Sequence, residues 1–252
     1  MAEKIPEQAA PVKEPAPDPQ RRRAVRRLLR AEVFYITAMT MFAVLALLAH
    51  FNNYFDWDLV IAKALQNFNS PTVFTFMRVV SLFGDKLTPW VLAGVTIILF
   101  LIAGSRSEAA GLLLSTGGGE LLNSILKRLI ARPRPSSELV DVFRALKTQS
   151  FPSGHVTFYV CYFGFLFFAS YALLRRGSFV RRAALTLTAL PVLLIGVSRV
   201  YLGEHWPSDT LGAYLSSGLW LAFSLHAYRY WKQKATFHPG ASAVEDLESP
   251  SK

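Results

Sequence analysis

Six long apolar segments dominate this chain of 252 residues. A helix that crosses a membrane needs about 20 mostly apolar residues, and a helix satisfies its own backbone hydrogen bonds where lipid offers none. These requirements predict an all-α, polytopic membrane protein built as a bundle of six transmembrane helices. We place the spans at residues 33–51, 88–103, 108–130, 156–174, 183–201 and 208–230.

The composition supports the membrane class. Hydrophobic residues make up 52% of the chain and charged residues 17%, against about 25% charged residues in a typical soluble protein. The net charge is +10, but much of it lies in short clusters beside the apolar segments, which is the pattern of membrane topology. We therefore expect membrane lipids around the chain and no nucleic-acid partner. The single Cys161 excludes an internal disulfide.

The polar ends of the chain predict a simple domain organisation. Residues 1–30 read as a disordered, proline-rich tail that ends in a basic juxtamembrane run with six arginines. Residues 31–234 form the predicted membrane domain, and residues 235–252 a second disordered tail. Within the domain, residues 52–86 are too interrupted to cross the membrane and predict one or two short interfacial helices.

The basic clusters also predict an orientation in the cell membrane. Clusters before span one, after span two, between spans four and five, and after span six all fall on one side, which the positive-inside rule makes cytoplasmic. Both termini are then cytoplasmic. Three polar motifs lie at the opposite ends of the spans, so we expect them to meet on the extracytoplasmic face.

The last of these motifs, SRVYLGEHWPSD, covers residues 198–209. If a helix begins near residues 206–207, Asp209 lies in its first turn and its carboxylate can reach back to the His205 ring. A carboxylate on Nδ1 fixes the imidazole tautomer and leaves Nε2 free as a nucleophile. Arg199 can offer a bidentate fork to phosphate oxygens. The alternative is an ordinary interfacial His–Asp pair beside an arginine that reaches toward water.

The motif PSGH, residues 152–155, places Ser153 and Gly154 at a helix start. Backbone N–H groups at such a position point toward a bound anion. His155 then stands beside the anion, where an imidazole can act as general acid and later as general base. The alternative is a plain capping loop.

The first motif, KRLIARPRP, covers residues 127–135 and ends a helix. Lys127 and Arg134 can approach one phosphate from two sides, because the chain leaves the helix near residues 132–133. Spacing alone leaves Arg128 and Arg132 as competing candidates. The alternative is a basic helix end that complements the helix dipole.

Taken together, the three motifs resemble the signature of the type 2 phosphatidic acid phosphatase (PAP2) superfamily, K-x6-R-P, P-S-G-H and S-R-x5-H-x3-D, with every defining position matched. The resemblance selects Arg134 over Arg132. It implies that His205 forms a phosphohistidine, that Asp209 orients it and that His155 is the acid and base. It assigns phosphate binding to Lys127, Arg134, Ser153, Gly154 and Arg199.

The expected function is therefore metal-independent hydrolysis, without a cofactor, of a lipid phosphomonoester or diphosphate. Undecaprenyl diphosphate, phosphatidate and phosphatidylglycerol phosphate are substrates of the family. A vanadate-dependent haloperoxidase-like enzyme, a non-hydrolytic transporter or binding protein for lipid phosphates, and a sugar phosphatase stay open as alternatives. No carboxylate cluster suited to Mg²⁺ lies beside the motifs. We expect Glu204 to be an exposed loop charge and Glu120 a buried polar residue.

Overall fold

The structure is a computed structural model that describes the backbone of residues 19–237 and forms no strand within that range. Residues 38–237 belong to one compact unit, and residues 19–37, the first part of helix α1, to another. The helices are α1 (Pro19–Phe51), α2 (Asp56–Gln66), α3 (Pro71–Ser81), α4 (Thr88–Ile102), α5 (Arg106–Ile130), α6 (Gly154–Leu173), α7 (Phe179–Tyr201) and α8 (Pro207–Phe237), with a 3₁₀ turn at Leu82–Gly84.

The predicted tails fall largely outside the described residues, which leave out residues 1–18 and 238–252. The basic run that we assigned to the N-terminal tail is helical, because α1 already begins at Pro19. At the other end, α8 continues to Phe237, slightly beyond the predicted end of the membrane domain.

The all-α prediction is confirmed for the described residues, and the structure supports three to four candidate membrane spans. The segments Glu32–Phe51, Gly154–Leu173 and Phe179–Tyr201 are long and apolar enough to cross a membrane. Pro71–Gly84 and Thr88–Ile102 meet the same criterion only as a pair, bent by 53°. The predicted spans in α5 and α8 are helical, but their polar residues lower their hydropathy.

The segment between the first two predicted spans contains two short helices, α2 and α3, followed by the 3₁₀ turn. Ser70 and Pro71 begin α3, as expected for a proline in the first turn of a helix. Because α3 and α4 form the bent pair, α3 is also a candidate for the first part of a broken span. An interfacial position for α2 and α3 stays a prediction.

Helix α6 is the centre of the bundle and packs against α5, α7 and α8. Its Val156, Tyr159 and Phe165 side chains are fully buried in the main apolar core. Gly119 allows α5 to approach α6 closely, because a Cβ atom at this position would lie 2.6 Å from the Cys161 Sγ atom. Close packing at small residues is the usual way in which membrane helices associate.

The helix ends bring the three motifs together. Helix α5 stops at Ile130, because Ala131 adopts the left-handed conformation with φ of 52°. Ser153 precedes the first residue of α6, and Pro207 begins α8. The Ser153 N–H donates to the Asp209 carbonyl over 3.3 Å, so the starts of α6 and α8 touch each other.

Candidate active site

A pocket of about 620 Å³ lies at these helix ends. Five of the eight predicted site residues line it. They are Lys127, Arg134, Gly154, His155 and His205. The other three, Ser153, Arg199 and Asp209, have no exposed surface and lie behind the pocket wall.

The predicted His205–Asp209 pair is present, with Asp209 in the first turn of α8. The His205 Nδ1 atom lies 3.5 Å from Asp209 Oδ2, at the outer limit of a hydrogen bond. The same carboxylate oxygen accepts the Trp206 N–H over 2.8 Å and a short hydrogen bond from the Ser150 hydroxyl. These donors hold the carboxylate beside the ring.

The second nitrogen of His205 identifies the tautomer. Nε2 lies 3.1 Å from Nη1 of Arg134, and a guanidinium group can only donate. Nε2 must therefore accept, which puts the ring proton on Nδ1, facing Asp209. In this tautomer the Nε2 lone pair faces Arg134, a residue of the pocket lining.

The surroundings of His205 favour its neutral form. Burial first, and then the positive charges of Arg134 and Lys127, hold the pKa of the His205 imidazole well below its ordinary value of 6.5. Desolvation and nearby cations both disfavour an imidazolium ion. At neutral pH His205 is therefore uncharged, which is the form with a lone pair available for attack.

Lys127 and Arg134, the two predicted phosphate-binding residues of the first motif, are held by carbonyl groups of the neighbouring loops. The Lys127 ammonium donates to the Gln149 carbonyl over 2.7 Å. The Arg134 guanidinium donates to the Thr148 carbonyl over 2.7 Å and to the Glu204 carbonyl over 2.6 Å. Burial lowers the pKa of Arg134 to about 10, so this residue stays positive at neutral pH.

Arg132, the competing candidate from sequence spacing, serves a different purpose. Its fully buried guanidinium donates to Asp209 Oδ1 over 2.7 Å and to Asp58 Oδ2 over 3.0 Å. A third donation reaches the Ser208 hydroxyl over 2.6 Å. Arg132 therefore supports Asp209 from behind the pocket. Arg128, the other candidate, is exposed and does not line the pocket.

The expectation of an exposed Glu204 is wrong. Only 1% of Glu204 is exposed. Its carboxylate forms an ion pair with Arg199 and accepts a hydrogen bond of 2.9 Å from Arg144 Nε. Two arginines thus share one buried counter-ion. Arg199 in turn donates to the Ser81 hydroxyl over 3.1 Å.

The start of α6 offers unpaired donors beside the pocket. Ser153 is the N-cap residue, and its buried hydroxyl has no hydrogen-bond partner among the described residues. Gly154 follows as the first helical residue and lines the pocket. First-turn N–H groups have no partner within the helix, so this end can bind an anion.

His155 contacts Asp85, which lies outside the motifs and is in turn bonded to Arg144. Its Nε2 atom lies 3.0 Å from Asp85 Oδ1, and the same oxygen accepts from Arg144 Nη2 over 2.6 Å. Burial raises the pKa of Asp85, but the hydrogen bonds from His155 and Arg144 outweigh it and hold that pKa well below its ordinary value. Asp85 is therefore ionised at neutral pH.

The pocket has a second, apolar part between α4 and α5. Trp90, Ala93, Gly94, Ile97 and Leu113 line it. Glu120 and Asn123 lie between this part and the cationic end. Glu120 is half-buried and faces the pocket. The pocket as a whole is thus suited to a molecule with one anionic end and one apolar end. No cluster of three or more His, Cys, Asp or Glu side chains able to hold a metal occurs in the described part of the chain.

The sequence and the fold resemble known membrane phosphatases. Residues 108–233 match the profile of the PAP2 superfamily. The chain is 30% identical over 199 residues to phosphatidylglycerophosphatase B of Bacillus subtilis (strain 168), covering 77% of this chain and 93% of that protein.

Two crystal structures have a similar fold. One is described as the first transmembrane PAP2 type phosphatidylglycerolphosphate phosphatase from Bacillus subtilis, with a TM-score of 0.60 and 27% identity over 79% of this chain and 96% of that chain. The other is LpxE of Aquifex aeolicus, with a TM-score of 0.53 and 24% identity over 68% of this chain and 96% of that chain.

These similarities, together with the apolar helices, confirm the predicted membrane character and the predicted phosphatase class. They also agree with the three motifs from which the phosphatase class was predicted. The chain belongs to the PAP2 superfamily.

Proposed function

We propose that this protein is a membrane lipid phosphatase that hydrolyses a phosphomonoester or diphosphate of a lipid, without a metal ion. The shape and lining of the pocket carry this proposal. Its cationic end holds Lys127, Arg134, His155 and His205, and its other end is an apolar groove between α4 and α5. A phosphate group fits the first part, and an acyl or prenyl chain fits the second.

In the first half of the proposed reaction, His205 attacks the phosphorus atom. The Nε2 lone pair forms the N–P bond while the P–O bond to the lipid breaks, and His155 gives a proton to the departing lipid oxygen. Asp209 stabilises the positive charge that develops on the His205 ring, as the carboxylate of a catalytic triad does. The result is a phosphohistidine and a lipid that carries one phosphate group fewer.

In the second half, water replaces the histidine. His155, now neutral, takes a proton from the attacking water, the new O–P bond forms, and the N–P bond breaks. Inorganic phosphate leaves, His205 regains its neutral form and His155 is protonated again. One water is consumed for each phosphate released, so no other reactant is required.

The charge on the phosphoryl oxygens is balanced by protein groups. Lys127, Arg134 and Arg199 supply positive charge, and Ser153 and Gly154 supply the hydroxyl and N–H donors of the α6 start. Donors fixed in advance around a developing charge are typically worth a few kcal/mol each. Arg199 and Ser153 have no exposed surface, so both must become accessible when the substrate binds.

The substrate candidates are phosphatidylglycerol phosphate, phosphatidate and undecaprenyl diphosphate. The similarity to phosphatidylglycerophosphatase B supports the first of these. For the topology we propose six membrane crossings, formed by α1, α4, α5, α6, α7 and α8 in the cell membrane. Both termini are then cytoplasmic and the active site faces the extracytoplasmic side, because the basic clusters outside the motifs lie at the other end.

The test is phosphate release by purified protein in detergent with EDTA present. The panel contains the three lipids and glucose 6-phosphate, with His205→Ala as the catalytic variant. His226→Ala is the matched control, because His226 is exposed and does not line the pocket. We expect release from at least one lipid, loss of release in His205→Ala and no change in His226→Ala. Release that survives His205→Ala, or that stops with EDTA, would contradict the proposed mechanism.

A further inference from the structure

A chain of charged side chains connects the two sides of the candidate active site. It starts at His155, passes through Asp85, Arg144 and Glu204, and ends at Arg199. Asp85 and Arg144 lie outside the three motifs, and Asp85 also lies outside the residues that match the family profile. The motifs therefore do not explain why Asp85 and Arg144 lie at the site.

The contact between Asp85 and His155 determines how the ring can be protonated. Asp85 is a carboxylate and can only accept, so His155 Nε2 carries a proton and donates it over 3.0 Å. Among the described residues, His155 Nδ1 has no hydrogen-bond partner, and His155 lines the pocket. Nδ1 is therefore the nitrogen left to exchange a proton with a bound molecule.

Gly84 restricts the same ring by direct contact. A Cβ atom on Gly84 would lie 2.3 Å from His155 Cδ2, far inside the contact distance. The backbone of the 3₁₀ turn therefore lies directly against the imidazole. With the carboxylate of the next residue bonded to Nε2, two adjacent residues together fix the position and the rotation of the ring.

Arg144 fixes Asp85 from the other side. Its Nη2 atom donates to Asp85 Oδ1 over 2.6 Å, and its Nε atom donates to Glu204 Oε1 over 2.9 Å. The Arg144 and Asp85 side chains are only 30% and 24% exposed. The charged groups nearest His155 are thus one carboxylate, Asp85, and two guanidinium groups, Arg144 and Arg199.

We infer that Asp85 is a positioning residue for His155. It holds the imidazole with Nε2 protonated, stabilises the imidazolium form, and leaves Nδ1 to deliver the proton to the departing oxygen. The inference rests on the proposed phosphatase function. It adds a second His–Asp pair to the site, in which the carboxylate supports the acid and base rather than the nucleophile.

The kinetic test uses leaving groups of different basicity. An alkoxide, as in phosphatidate, must be protonated as it departs, whereas 4-nitrophenolate departs without a proton. For Asp85→Asn we expect kcat/KM, which reports steps only up to leaving-group departure, to fall about 10- to 100-fold for phosphatidate. For 4-nitrophenyl phosphate we expect a fall of less than about threefold. The matched control is Asp141→Asn, since Asp141 is exposed and lies outside the charged chain. Equal losses on both substrates, or no loss on phosphatidate, would overturn the inference.

A spectroscopic test does not depend on turnover. In ¹⁵N-histidine NMR spectra of the protein in detergent, we expect the neutral His155 ring to be the Nε2–H tautomer and Asp85→Asn to shift it toward a mixture. Gly84→Ala should disturb the ring without altering any charge, and it takes the place of Asp85→Asn if that variant does not fold. If the His155 tautomer is the same in both variants as in the unaltered protein, the inference is overturned. An Asp85-dependent tautomer in a protein that hydrolyses no ester would support the contact and reject the phosphatase function.

Discussion

Arg132 and Asp209 are joined by a hydrogen bond of 2.7 Å between Nη1 and Oδ1, and neither side chain has any exposed surface. Arg132 also binds Asp58 on α2, so one buried cation lies between two buried carboxylates. Asp209 accepts the hydrogen bond from Arg132 with Oδ1, and its Oδ2 atom faces the His205 ring. A helix from the first third of the chain thereby supports the orienting carboxylate of the last motif.

We predict that removing the Arg132 cation from between Asp58 and Asp209 lowers both the stability of the protein and its catalytic rate. Arg132→Gln removes the cation from between two carboxylates, and losing one partner of a buried ion pair typically costs about 3–5 kcal/mol. The unfolding temperature in detergent should fall clearly, and kcat should fall with it because Asp209 loses its support. Arg128→Gln is the control, since Arg128 is exposed. Equal unfolding temperatures for the two variants would contradict the prediction.

The pH dependence of kcat/KM should report the low pKa of His205. Protonation of Nε2 abolishes nucleophilicity, so activity falls as the pH drops through the pKa of His205, which lies below the ordinary value of 6.5. Arg134→Gln removes one of the charges that lower this pKa, so the pKa should rise and the acidic limb should move to higher pH. The substrate is the same in both profiles, and a difference between them therefore belongs to the enzyme. An unshifted limb in Arg134→Gln would count against the role of this charge.

The apolar part of the pocket should select long lipid chains. Gly94 lines it, and an added Cβ atom there meets no other atom within 4 Å. Gly94→Leu should therefore fold normally, fill part of the groove and lower kcat/KM for dioleoyl phosphatidate about tenfold, while dihexanoyl phosphatidate is affected less. Gly218→Leu is the matched control, because its Cβ atom also meets open space and Gly218 does not line the pocket. Equal effects on both chain lengths would show that the groove does not hold the chain.

Cysteine labelling should test the proposed topology. The native Cys161 is buried, so an introduced cysteine gives the only signal expected from the folded bundle. We predict that Ser137→Cys reacts with a membrane-impermeant maleimide in intact cells, whereas Arg176→Cys reacts only after the cells are permeabilised. Both positions are exposed. The reverse labelling pattern would place the active site on the cytoplasmic side.

The helix ends at the site could be predicted from the sequence, because local signals determine them. Pro207 begins a helix, and a chain that runs into an Arg-Pro pair must leave one near Arg132. Once these ends are placed, the His205–Asp209 relationship follows from their spacing. The structure confirms this part of the prediction.

The supporting residues could not be predicted, because they meet across long stretches of chain. Asp85 and Arg144 are 59 residues apart, and Asp58 and Arg132 are 74 apart. No spacing rule in a single sequence relates such pairs. The exposure of Glu204 was predicted wrongly for a related reason. Its ion pairs with Arg144 and Arg199 stabilise the buried carboxylate. A loop position next to a histidine does not indicate that these partners are present.

Ala131 determines where the two arginines that follow it in the first motif are placed. After the last helical turn, one left-handed residue ends the helix and turns the chain away from it, and its N–H still bonds to the Lys127 carbonyl over 2.9 Å. The next arginine, Arg132, then enters the protein interior, and Arg134 enters the pocket. The six residues between Lys127 and Arg134 are the length of chain needed to make that turn. Arg132 and Arg134 are two residues apart, so deleting two residues after Ala131 would put Arg134 at the interior position and leave no arginine at the pocket.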